Sequence, residues 1–526
     1  MSGEVKHVAP IEVDERLAAL LANASAVRAI ASAVEGTLGP KGLNCMLVDR
    51  LGDVTVTNDG STILSKIDVS HPAARMVINT AKAQEVEVGD GTTTTTILAN
   101  ALIAEGVSHA SRGVPVTRII EGMRAGLARA VAVLREKSVA ISDLDDPVLR
   151  QVAIIAGREQ EDLADLALEA ARLLGAEKLR EEAFRLAEWV VAKEGAQSQV
   201  LPGLVIEKER LSRQMPREVK PARILVVDDA LEPEEVEEEA LGTEAGFQRY
   251  LALREAFRED LQRLVGLGVR VVVVHKGVDS LAEEILTEAG VMVVRRVSSR
   301  DIAAIAEHTG ARPIKRHGLR KEASDLRKAV GRARRVYEDE RLEHLRILGG
   351  RGAPAATMLV GAATAAVKEE RQRIAQDAAS AVQQAVRGGI VAGGGAAELS
   401  AIPEVERVRE QLSGMAAYGA DCVIEALRRP LRQIVANAGF NPLEKLGDVL
   451  AARAAGNRDS LGIDCDTGQV ADMMAAGVVD ATTVKVYAIE AAGEIAEAIL
   501  RINTIIRKRE ESVAPLPGAA TSKQAP

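Results

Sequence analysis

The 526-residue chain is 47% hydrophobic but only 2% aromatic, and its 67 basic and 76 acidic side chains leave a net charge of −9. That length is too great for one core and suggests roughly three or four domains, with interiors built from Ala, Val, Leu and Ile in closely packed helices. No basic block points to nucleic acid, the three cysteines and seven histidines have no metal-binding spacing, and no signal-peptide core or membrane-length apolar run is evident, so a cytoplasmic protein with no nucleic-acid or membrane partner is expected.

Residues 1–12 and those from Glu511 onward read as flexible tails. Helical spacing predicts a helix over 14–36, closed by Gly36 and followed by the turn-forming run Thr37-Leu38-Gly39-Pro40-Lys41-Gly42. Residues 44–57 alternate around Leu51-Gly52-Asp53 as a β-hairpin does, and Asn58-Asp59-Gly60 then turns the chain with a carboxylate exposed. Residues 73–140 read as mostly helical, and within them 89–96 spell Gly-Asp-Gly followed by five threonines. Two glycines let the backbone approach a ligand closely, and the helix start offers unpaired N–H groups and the positive end of a dipole. Asp90 would repel a bare phosphate but hold a Mg²⁺ riding on one. A threonine-rich helix cap is the plain alternative; eight residues of this composition favour a Mg–nucleotide site.

Between roughly 200 and 350 the character changes. Arg223–Asp228, Val269–Val274 and Val291–Val297 are β-branched runs separated by helical stretches, which predicts a strand–helix sheet domain inserted into a helical protein. The acidic run Glu232–Glu239 reads as a solvated helix face. Of nine aromatic residues, Phe247, Tyr250 and Phe257 fall within eleven positions and join Leu253, Leu261 and Leu264 in an apolar stripe. Its C-terminal half is expected to pack on the inserted sheet, whereas its N-terminal half lacks an evident partner. Helix is expected again from Ala355, then a glycine-rich run from Gly388 to Gly395, and finally a turn at Asp480 leading into a long amphipathic helix.

There is no GxxxxGK[ST] motif, so a nucleotide site must draw its glycine turns and carboxylates from several places. GTLGPKG (36–42), NDG (58–60), GDGTTTTT (89–96), AGGG (392–395) and VVDATTVK (478–485) supply them. In this order the set resembles the chaperonins over nearly the whole chain. Gln214–Arg217, Asp228–Glu232, His275–Asp279 and Val294–Val297 resemble the group II, thermosome-like branch, while Gly388–Gly395 is nearer the group I version. That mixture resembles the bacterial group II-like, or group III, chaperonins.

The resemblance implies a multidomain α+β fold. A mostly helical equatorial domain would comprise 1–140 and 385–526, and a hinge-like intermediate domain 141–199 and 355–384. An α/β apical domain would occupy 200–354, with a helical lid protrusion near 236–257. It further implies that Leu38, Gly39, Pro40, Gly60, Gly91, Thr92, Thr93 and Thr94 bind the nucleotide, with Gly394 at the ribose and Asp480 at its hydroxyls. Asp90 would coordinate Mg²⁺, and Asp59 and Asp377 would position the attacking water. Arg158 stands where group II relatives carry a γ-phosphate-sensing lysine, keeping the charge but as a planar fork. Phe247, Tyr250, Leu251 and Phe257 would serve lid closure and client binding. The implied activity is ATP hydrolysis to ADP coupled to folding of non-native proteins inside a double-ring homo-oligomer, with no separate co-chaperonin. A small-molecule phosphotransferase and a non-catalytic ring scaffold are the rivals; the first lacks an acceptor motif, and the three aspartates weigh against the second.

Overall fold

The computed structural model describes residues 11–236, 242–456 and 458–504. Most of the expected tails, and 237–241 of the acidic run and lid segment, lie outside the described residues.

Helix α1 (Ile11–Val34) is followed by a hairpin of β1 (Cys45–Val48) and β2 (Val54–Thr57), then by α2 (Gly60–Lys66), α3 (Pro72–Val88), α4 (Thr92–Ser111) and α5 (Val116–Glu136). These pack against three helices from the far end of the chain, Ala396–Gln411, Ala417–Asn437 and Thr482–Leu500. Val27, Leu102, Ile119, Leu134, Val405, Val423 and Ile489 share the resulting core. With few aromatics to fill space, the helices approach closely. A Cβ at Gly122 would lie 1.8 Å from the Ala416 carbonyl oxygen, and one at Gly419 would lie 2.0 Å from that of Ile119.

Two expectations fail here. Leu17–Thr37 is long and apolar enough, by length and composition, to cross a membrane. One face of it packs on the helical core, with Val27, Ala31 and Val34 fully buried, and the rest is at least partly exposed. The last helix, Thr482–Leu500, is buried on most sides rather than amphipathic, because α3, α4 and α5 surround it.

A second core joins α6 (Pro147–Ala156), α7 (Glu161–Leu174) and the helix Ala365–Gly388 to a small sheet of β3 (Val190–Glu194) and β4 (Gln199–Leu201). The central strand of that sheet comes from Thr357–Ala362, where helix was expected. Thr357, Met358, Leu359 and Val360 are all fully buried, and a short, wholly buried strand has no periodicity that distinguishes it from helix.

The middle of the chain builds a larger sheet from β5 (Gly203–Ile206), β6 (Glu218–Val219), β7 (Ala222–Val227), β8 (Val271–Val274), β9 (Met292–Val294), β10 (Gly331–Asp339) and β11 (His344–Gly350), in the order β5-β11-β10-β7-β8-β9, with β6 beside β10. The three expected strands are β7, β8 and β9, which pair in parallel; the antiparallel β5, β10 and β11 extend the sheet. Alternation along β7 and β8 divides the side chains between two covering layers. Ile224, Val226, Val271 and Val273 meet Ile302 and Ile305 of the helix Ser299–Thr309. Leu225, Val227, Val272 and Val274 meet Phe257, Leu261 and Leu264 of the helix Glu244–Gly266.

That last helix divides as its sequence suggests, with one correction. Phe247 and Leu251 are 51% and 45% exposed, and Tyr250 stacks on Phe247 at 6.4 Å. Phe257 is only 3% exposed and belongs to the sheet core, not to the lid surface. Nor are the described acidic residues before it a solvated helix face: Glu232 pairs with Arg316 at 3.2 Å and Glu234 with Arg320 at 3.0 Å, outside any helix.

Candidate functional site

The five motifs, distant in sequence, meet where the two helical cores adjoin. Leu38, Gly39, Pro40, Asp59, Gly60, Asp90, Gly91, Thr92, Thr93, Thr94, Arg158, Asp377, Gly394 and Asp480 all line one cavity of about 520 Å³.

At its centre is the start of α4. Gly91 holds the N-cap with φ +88°, a left-handed conformation that suits glycine, and brings no side chain to cover the first helical N–H groups. Only the first three threonines reach the cavity; Thr95 and Thr96 are buried in the core, and their hydroxyls donate to the carbonyls of Gly91 and Thr92 at 3.0 and 2.9 Å. The helix start and its threonine hydroxyls suit an anion. Gln84, on α3, fixes the loop by donating to the Asp90 carbonyl at 2.8 Å.

Asp59 caps α2, accepting from the Thr62 N–H at 2.8 Å and the Thr62 hydroxyl at 2.6 Å. Asp377, from the helix Ala365–Gly388, faces it. Between them lies Arg158, whose guanidinium donates to Asn58 at 2.5 Å, Glu370 at 2.7 Å and Asp377 at 3.4 Å, and sits 3.8 Å from Asp59. Arg373 pairs with Glu370 at 2.6 Å and approaches Asp59 at 3.5 Å. On the opposite wall Asp480, in the strand Val479–Ala481, sits across from Val391 in the strand Ile390–Ala392, close to the glycine run. Lys485 bridges Asp480 at 3.0 Å and the buried Glu398 at 2.9 Å.

Negative charge dominates: Asp59, Glu85, Asp90, Glu159, Asp377 and Asp480 line the cavity, against the cations Arg158 and Lys485. Burial, then Glu85 and Asp90, push the Asp377 carboxyl well above its ordinary value, with Arg158 opposing. Burial and Asp480 push Asp90 up, and burial with Asp59 and Asp90 lifts Glu85 to about 7. Burial alone would drive a proton off Lys485, but Asp480 and Glu398 outweigh it and hold the ammonium charged. A site with surplus carboxylates beside an anion-ready helix start is short of positive charge and suits a divalent cation arriving with phosphates.

Glu85, Glu370 and Arg373 carried no expectation. Each lies on a helix among other charged residues and is indistinguishable in sequence from a solvated one. Lys485 closes the VVDATTVK run, and a lysine five residues after Asp480 was its available signal.

Residues 30–510 match the model of the TCP-1/cpn60 chaperonin family. The chain is 36% identical to thermosome subunit beta of Archaeoglobus fulgidus over 500 residues, covering 92% of this chain and 91% of that one. It is 33% identical to thermosome subunit alpha of Thermoplasma acidophilum over 510 residues, 93% of this chain and 92% of the relative. A crystal structure of a group III chaperonin in the open state superposes with a TM-score of 0.83 at 45% identity, covering 94% of this chain and all of that chain. With this extent of agreement in sequence and fold, the chain belongs to the TCP-1/cpn60 chaperonin family.

Proposed function

We propose that this chaperonin binds Mg–ATP in the cavity at the start of α4 and hydrolyses it to drive the folding of non-native proteins within a cytoplasmic double ring. The observation that carries the reading is the convergence of five separated motifs on one cavity. The first-turn N–H groups and the hydroxyls of Thr92–Thr94 receive the phosphates, and Gly394 and Asp480 lie on the wall assigned to the ribose. Asp90 would hold the Mg²⁺, which would supply neutralisation of phosphate charge.

The chain's own residues do the rest. Asp59, held rigid by its bonds to Thr62, and Asp377 orient a water for in-line attack on the γ-phosphorus. The water oxygen forms the new P–O bond, the bond to the β-phosphate oxygen breaks with its electron pair leaving on ADP, and the water's proton passes to a carboxylate. A carboxylate whose proton affinity is raised, as at Asp377, is the better acceptor. Arg158 sits between the two acids and is available to the γ-phosphate. We assign the α4 core to the equatorial domain and the large sheet to the apical one. Phe247, Tyr250 and Leu251 mark the built-in lid, so closure needs no separate co-chaperonin.

The test is Asp377→Ala. It should bind ATP with near-normal affinity and turn it over about 10²–10⁴-fold more slowly, the range for loss of a positioned acid–base group. Near-normal turnover would remove Asp377 from the mechanism, and absence of any turnover in the unmodified protein would remove the ATPase reading.

A further inference from the structure

On the large sheet, away from the nucleotide cavity, lies a second concavity of about 940 Å³. Its lining carries six cations, Lys220, Arg223, Arg270, Arg332, Arg334 and Arg351, and a single acid, Glu218. All six cations are exposed. The acid is already engaged, by Arg335 at 2.8 Å. Among the described residues none of the six has an ion-pair partner; Arg223 donates only to the Leu267 carbonyl, at 2.9 Å.

Their arrangement is ordered by the sheet. Arg332 on β10 lies directly opposite Arg223 on β7. The backbone N–H of Arg351 donates to the Arg332 carbonyl at 3.1 Å, and that of Arg270 to the Arg223 carbonyl at 3.0 Å. Arg351, Arg332, Arg223 and Arg270 therefore follow one another across four adjacent chain segments, at the strand spacing of about 4.8 Å. Like charges directly opposite on a sheet destabilise it. A row of uncompensated guanidiniums gains nothing for the isolated fold, yet in a chain of net charge −9 it creates a local attraction for anions.

We propose that this cavity docks acidic peptide segments of non-native client proteins. The proposal rests on the chaperone reading and extends it to a client class. Five of the six cations are arginines, whose planar forks match carboxylates with paired hydrogen bonds. Val219, Ala222 and Ala333 beneath them are buried in the sheet core, so the face on offer is the row of cations itself. The row runs across three strand spacings, about 14 Å, so a peptide carrying several carboxylates engages it along its length where a single phosphate group would not.

The test uses the assembled full-length protein and a fluorescein-labelled peptide alternating Glu and Leu, followed by anisotropy. The unmodified protein should bind it, more weakly as salt rises, and the double variant Arg332→Ser/Arg351→Ser should bind at least about tenfold more weakly, because two charge-assisted contacts are lost. Ring assembly and ATP turnover should be unchanged in the variant. Equal binding by the variant, or no binding by the unmodified protein, would overturn the proposal. So would displacement of the peptide by inorganic tripolyphosphate at lower concentration than by unlabelled peptide, which would make this a phosphate site. Loss of ring assembly in the variant would instead make it an interface between copies. Peptide binding lost in the variant of a protein with no ATP turnover would uphold this site while sinking the ATPase reading.

Discussion

Replacing Glu85 by Gln should stabilise the nucleotide-free protein, and increasingly so as pH rises. Burial and the nearby Asp59 and Asp90 lift the Glu85 carboxyl from 4.5 to about 7 in the folded state. At about 1.4 kcal/mol per pH unit, that is roughly 3 kcal/mol against the charged form. Between these two values the folded protein holds a proton that the unfolded chain has released, so stability falls as pH rises. The contribution is fully present below about pH 4.5 and lost as pH passes about 7. Glutamine keeps the shape and cannot ionise. The gap in denaturation midpoint between Glu85→Gln and the parent, measured without nucleotide or Mg²⁺, should therefore open over this window and level off above it. A constant gap from pH 5 to pH 8, or one that narrows, would show that Glu85 is not held protonated by its acidic neighbours.

Asp90→Ala should weaken Mg–ATP binding itself, measured by calorimetry, because the carboxylate beside the start of α4 is removed. Val54→Pro should weaken ring assembly before it unfolds the subunit, as native mass spectrometry would show: the β1–β2 hairpin stands with Met46, Val48, Val54 and Val56 more than half exposed, and a lone hairpin is marginal in water. Phe247→Ser/Leu251→Ser should leave ATP turnover within about twofold, since surface substitutions cost little stability, yet abolish retention of a denatured client with ATP and a γ-phosphate mimic. Retention equal to the parent would count against the lid assignment.

The convergence of the motifs at the start of α4 was legible because a phosphate-binding turn would demand particular residue types in short runs. A left-handed N-cap needs something like Gly91, and a helix start left open to a ligand needs small or hydroxyl-bearing neighbours such as Thr92–Thr94. The three parallel strands were legible because valine-rich runs buried on both faces look like little else. Strand β10 was not, because Arg332, Arg334 and Arg335 give it the look of a charged surface segment, although Ala333, Val336 and Glu338 in the same strand are buried. Phe257 misled for a related reason: one helix carries both an exposed aromatic face and a core-facing one, and spacing alone does not say where the sheet ends beneath it. Glu85 and Arg373 owe their importance to residues far away in sequence, and only the fold assembles those environments.

Arg158 shows how those distant pieces combine. Both it and Glu159 have positive φ, +51° and +62°, a strained choice for non-glycine residues that costs on the order of 1 kcal/mol or more each. The loop between α6 and α7 keeps this geometry while the guanidinium reaches Asn58 and Asp59 in the first helical core and Glu370 and Asp377 in the second. One side chain thus ties the two cores together across the cavity, and it does so through the very acids assigned to water. On the proposed reading, an arriving γ-phosphate would compete with those acids for Arg158. Drawing the guanidinium toward the phosphate would loosen its hold on Asp377 and remove a cation that lowers the proton affinity of that carboxyl. Nucleotide binding and activation of the water-orienting acid would in this way be one event.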